Sequence, residues 1–120
     1  MSPVQACRTI LDDEPTGFFT DIEQVHLVLT TRSKGETTES EVGATGTVPL
    51  DSTLVWVVEV HARAVNWDHS VPPGVTVHPA TDYSIVMDAR TGRVTDSGED
   101  DSWPLPLAKA GTVISLPADC

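Results

Sequence analysis

Lysine is nearly missing from this sequence. Lys34 and Lys109 are the only two, and with five arginines they stand against eighteen acidic residues in 120, a formal net charge of −11. Such a surface repels phosphate backbones and anionic headgroups, which excludes nucleic acid as a partner. Long apolar runs are missing too. The longest continuous one extends from Leu54 to Val58, far below the ~20 residues that cross a bilayer, so no membrane insertion is expected. No basic stretch and no apolar stretch follow Met1-Ser2-Pro3-Val4, so the expectation is a cytoplasmic chain or one trimmed of its leader. Catalytic signatures are absent: there is no G-x-S-x-G, no Cys/His pair in a known pattern and no phosphate-cradling glycine loop. The ordered acidic spacing of a calcium loop is absent as well, and the consecutive carboxylates Asp12-Asp13-Glu14 and Glu99-Asp100-Asp101 splay apart. No cofactor is expected.

Cysteine is scarce, with Cys7 and Cys120 near opposite ends. Two thiols alone hold no metal. Pairing them closes a loop of over 100 residues, which chain entropy values at up to ~4.7 kcal/mol. Two unrelated thiols are the alternative, and the sequence leaves both open.

Valine, threonine and isoleucine are plentiful, at 35 of 120 residues, and β-branched side chains favour pleated strands. Ser2 before Pro3 reads as an N-cap followed by proline at the first helical position, which predicts a short helix over 3–12. Val4, Cys7, Ile10 and Leu11 form its apolar stripe. From Val25 the period becomes two, with Val25, Leu27 and Leu29 on one face and His26, Val28 and Thr30 on the other. Residues 33–52 are polar and glycine-rich and read as a long mobile loop, with 45–48 as a candidate short edge strand. Leu54 to Val65 is the clearest strand. Leu54, Trp56, Val58 and Val60 lie on its core face, while Glu59, His61 and Arg63 lie on a face read as wet. Residues 66–80 contain Pro72, Pro73 and Pro79 and read as a loop. Tyr83, Ile85 and Met87 mark a third strand, Ala89-Arg90-Thr91-Gly92 a turn, and 93–95 the return strand. Residues 96–102 read as an acidic linker, Trp103-Pro104-Leu105-Pro106-Leu107 as an extended segment laid on the body, and 112–116 as a last edge strand. A helix followed by antiparallel strands predicts one α+β domain, a short N-terminal helix packed on an antiparallel sheet of about four to five strands.

Val55-Trp56-Val57-Val58-Glu59-Val60, followed by Tyr83-Ser84-Ile85-Val86-Met87-Asp88-Ala89-Arg90-Thr91-Gly92-Arg93-Val94, resembles a PepSY-type domain over residues 54–95. That family is cystatin-like, with a helix packed on a small antiparallel sheet and a final hairpin carrying Asp and Thr-Gly at its turn. The resemblance implies peptidase-propeptide-like, inhibitory or regulatory binding outside the cell. It supplies no catalytic residues. The chain departs from the family pattern in its polar stretch before the central strand and in the Trp103 tail.

The leading expectation is therefore a non-enzymatic binding or inhibitory module of a bacterial exported protein, located extracellularly or in the cell envelope. Its partner would be a protein such as a peptidase. Trp67 and Trp103 lie in loops beside prolines, where indoles often anchor partners, and His69 sits next to Asp68 in the same loop as Trp67. Both indoles also fit a plain role as caps on the sheet. A second expectation is a small enzyme or metal-binding domain using a His26/Glu59/His61 face, provided the first two strands pair in the matching register. A third is a structural accessory domain of an envelope protein.

Overall fold

Ser2 opens the first helix, α1 (Pro3–Asp13), through a reciprocal capping box. The Gln5 amide donates to Ser2 Oγ at 3.2 Å and the Ser2 amide donates to Gln5 Oε1 at 2.7 Å, satisfying two N–H groups that a helix start leaves orphaned. The computed structural model describes residues 1–40, 52–66, 74, 80–100 and 103–120. Within them α1 is followed by β1 (Phe19–Thr31), α2 (Arg32–Ser40), β2 (Leu54–Val65), β3 (Ala80–Asp88), β4 (Val94–Asp100), a 3-10 turn (Leu107–Lys109) and β5 (Val113–Leu116). The strands form one five-stranded antiparallel sheet in the order β4-β3-β2-β1-β5. This is the expected α+β arrangement.

Period-two burial divides the sheet into two faces. On the first, Val25, Leu27, Trp56, Val58, Val60, Tyr83, Ile85 and Met87 pack against Ala6, Cys7 and Ile10 of α1. Trp56 Nε1 donates to the Met1 carbonyl at 3.0 Å, so the indole is buried without an orphaned donor. The Cys7–Cys120 disulfide joins α1 to the end of the chain beyond β5, with Cα atoms 6.4 Å apart. Three positions expected on this face are instead exposed, among them Leu54 at the start of β2. Val4 lies on the outer side of α1, because Ala6 takes the inner position, and Leu29 sits near the end of β1.

The second face is also covered, which changes three readings. Residues 32–40 are helical rather than a mobile loop. Thr31 Oγ1 accepts from the Lys34 amide, and the Thr37 and Thr38 hydroxyls donate to the Ser33 and Lys34 carbonyls. Gly35 makes this packing feasible: a Cβ there would lie 2.9 Å from Val57 Cγ2 and 3.2 Å from Val55 Cγ2. Tertiary contact thus overrides a segment poor in helix formers. Residues 41–51, including the candidate edge strand at 45–48, lie outside the described residues. β4 also runs on to Asp100, so most of the segment read as an acidic linker is a strand paired with β3. β1 begins at Phe19 rather than Val25, and a bulge between Ile22 and Gln24 breaks its register with β2.

The β3–β4 turn follows its sequence. Asp88 Oδ1 accepts from the Arg90 and Thr91 amides at 2.8 and 2.9 Å, and Gly92 takes the left-handed φ of 75°.

Candidate functional site

The register of β1 against β2 places His26 opposite Glu59, and His61 is the next residue along β2 on the same face. The three residues proposed from sequence are therefore together. β3 adds two that sequence reasoning missed: Ser84 opposite Glu59 and Asp82 opposite His61. Both are buried. Their signal was the alternation with Val86, but a strand taken to begin at Tyr83 left Asp82 out. The bulge in β1 supplies a third, since Glu23 Oε2 lies 3.3 Å from His61 Nε2.

Glu59 is not on a wet face. It is completely buried, because the chain after β4 folds back over the sheet. Val28, Val55, Val57 and Val86 form the apolar half of this face and receive Leu105, Leu107 and Ala110. The polar half holds Glu59, and Trp103 lies over it. The indole centroid is 4.6 Å from the His26 ring at 31° and 4.6 Å from the His61 ring at 19°. Trp103 is thus half-buried across two imidazoles, which are its visible partners. The extended segment expected there is present, and it ends in the 3-10 turn.

Glu59 Oε2 accepts the Leu105 amide at 2.8 Å. Its other oxygen, Oε1, and His61 Nδ1 are buried without a hydrogen bond of sound geometry. Burial pushes the Glu59 carboxyl above its ordinary value, outweighing the opposing effects of the Asp82 side chain, the Leu105 amide and the His26 and His61 charges. A carboxyl with a raised pKa beside imidazoles has the ingredients of an acid–base group. The stacked indole, however, covers it from the direction in which a substrate would approach. Among the described residues no three His, Cys, Asp or Glu side chains are placed to hold a metal ion.

A different feature marks the end of the sheet where β1 finishes and β2 begins. Met1, Leu29, Thr53, Leu54, Asp88, Ala89 and Arg90 line an open concavity of about 570 Å3. Leu54 is 56% exposed and Leu29 44%, which is unusual for large aliphatics on a sheet whose other apolar residues are mostly covered.

Trp67 and His69, proposed as binding residues, lie outside the described residues. No described helix is long and apolar enough to cross a membrane. No protein-family model matches the chain, and no curated protein or solved structure is significantly similar to it, so the resemblance to PepSY domains is one of sequence pattern over 54–95 alone.

Proposed function

We propose that this chain is a non-enzymatic binding or regulatory module, PepSY-like in kind, that works outside the cytoplasm and recognises a protein partner such as a peptidase. The observation that carries this reading is the apolar concavity around Leu29 and Leu54. Exposed aliphatics gathered about one hollow suit the insertion of an apolar side chain from a partner. With a net charge of −11, the partner is expected to present basic residues around that anchor. The Cys7–Cys120 disulfide favours an oxidising compartment.

A photo-crosslinking residue at position 54 should trap a partner whose contact segment is apolar and flanked by Lys or Arg. Leu54→Asp should then weaken binding of that purified partner about thirtyfold, the equivalent of ~2 kcal/mol. Trp67→Ala provides a second probe of the contact surface. His61→Ala and a chelator should leave binding unchanged. Full-strength binding by Leu54→Asp would defeat the proposal.

A second reading is favoured by the elevated Glu59 carboxyl next to His26 and His61, an arrangement that suits a small hydrolytic or proton-transfer enzyme. Turnover of a substrate that both His61→Ala and Glu59→Gln abolish would establish it in place of the first.

A further inference from the structure

The second sheet face is closed by a strap, residues 103–107, whose fastenings are of two kinds. Leu105 and Leu107 sit in the valine half of the face. The other fastenings involve ionisable groups: Trp103 lies across His26 and His61, and the Leu105 amide is held by Glu59. Glu59 is fully buried in β2, which pairs on both sides, and the strap itself excludes water from that side.

The charges around Glu59 are unbalanced. β1 contributes His26, and Glu23 through its contact with His61. β2 contributes His61 and β3 the buried Asp82. On β4 the residue in the Glu59 row is Gly98, with Asp96 in the row beside it. Ser115 of β5 completes the Glu59 row beyond His26, and the strap brings an indole and aliphatic side chains. Carboxyl groups outnumber imidazoles, and no Lys or Arg belongs to these rows.

We propose that the strap is a pH-controlled latch over the second sheet face, shut while Glu59 carries a proton and released as that proton is lost. With the proton in place the buried group is neutral, and its oxygen still accepts the Leu105 amide. Ionisation places a negative charge under apolar cover beside Asp82, and the quickest relief is to lift the strap and admit water. Ionised Glu59 also binds the Leu105 amide more strongly, which opposes release, but the burial of the charge outweighs that bond. Opening uncovers His26, Glu59, His61 and the part of the valine half that Leu105 and Leu107 cover. The latch would therefore control access to this face whatever binds at the Leu54 end.

Amide exchange read by NMR between about pH 5 and 9 tests this, with the intrinsic base-catalysed rate divided out. The opening constant of the Leu105 amide should rise with pH, by up to tenfold per unit between the ordinary carboxyl value and the elevated folded Glu59 value, and level off above it, while that of Val58 on the first face stays level. In Glu59→Gln the Leu105 profile should be flat. A flat wild-type profile, a parallel rise at Val58, or a wild-type slope retained in Glu59→Gln would each overturn the proposal. If Glu59→Gln does not fold, Asp82→Asn, which removes a neighbouring carboxyl and leaves an amide N–H able to donate to ionised Glu59, should move the rise to lower pH, and an unmoved rise would overturn it. In the wild-type chain the Glu59 carboxyl carbon must titrate with the same midpoint as the Leu105 opening, and separate midpoints would equally overturn it.

Discussion

The two faces of this sheet draw valines from the same strands, and they are closed in different ways. The α1 face is sealed by a capped helix, a buried Trp56 and a disulfide, with hydrocarbon at its centre. The opposite face is closed by α2, a helix poor in apolar residues, and by a strap fastened partly through a buried carboxyl and two imidazoles. The first relies on apolar burial, which does not depend on pH. The second includes groups whose charge changes with conditions, and it suits a face that opens. The difference teaches that complete burial of a residue, as at Glu59, need not mark the most permanent part of a core.

The comparison breaks most easily through Trp56. Trp56→Ala should lower stability by ~3–5 kcal/mol, as for other large core aromatics, out of a usual total of ~5–15. Trp103→Ala should cost far less, because its indole is half-exposed and packs on polar rings. Similar losses of melting temperature in the two variants would show that the faces are equally committed.

Next comes the disulfide. Reduction should add the mass of two hydrogens and remove up to ~4.7 kcal/mol for a loop of this length, with amides of α1 losing protection before those of α2. Equal masses before and after reduction would show that the bond is not formed in solution.

Gly35→Ala is a smaller and more local probe. The new Cβ would press on Val57 and Val55, with overpacking of ~1–3 kcal/mol set against about 1 kcal/mol of helix propensity gained over glycine. Net destabilisation is expected, confined to the α2 side in an exchange map. A stabilised variant would mean that α2 does not sit as close to the sheet as described.

The smallest effects are those of pH, and they have opposite signs in two regions. Glu59 has a folded pKa above its ordinary 4.5, so its contribution is complete below that value and is lost as pH rises through the elevated one. Asp88 has a folded pKa below its ordinary 3.8, held there first by the Thr91 amide and then by the Arg90 amide. Its contribution is present above 3.8 and is lost as pH falls through the depressed value. Thermal melts across pH should flatten on the alkaline side in Glu59→Gln and on the acid side in Asp88→Ala. An unaltered alkaline limb in the first variant would remove Glu59 as its cause.

Local chemistry was largely legible in the sequence: the Ser2 cap, the alternation through β2 and β3, and the Asp88–Gly92 turn all depend on neighbours within a few residues, while the reciprocal part of Gln5 in that cap was found only in the structure. The His26/Glu59/His61 grouping was half legible, since alternation fixed each residue's face but only the β1–β2 register brought the strands' residues side by side. What covers a face was not legible. Helix α2 reads as a loop because its nine residues gain order from the valines beneath Gly35 rather than from their own propensity. Glu59 reads as solvated because a period of two assigns a side and says nothing of what lies over it. Only tertiary structure could decide that residues 103–107, more than forty positions away, would cover that carboxylate and turn a polar stripe into a buried, titratable one.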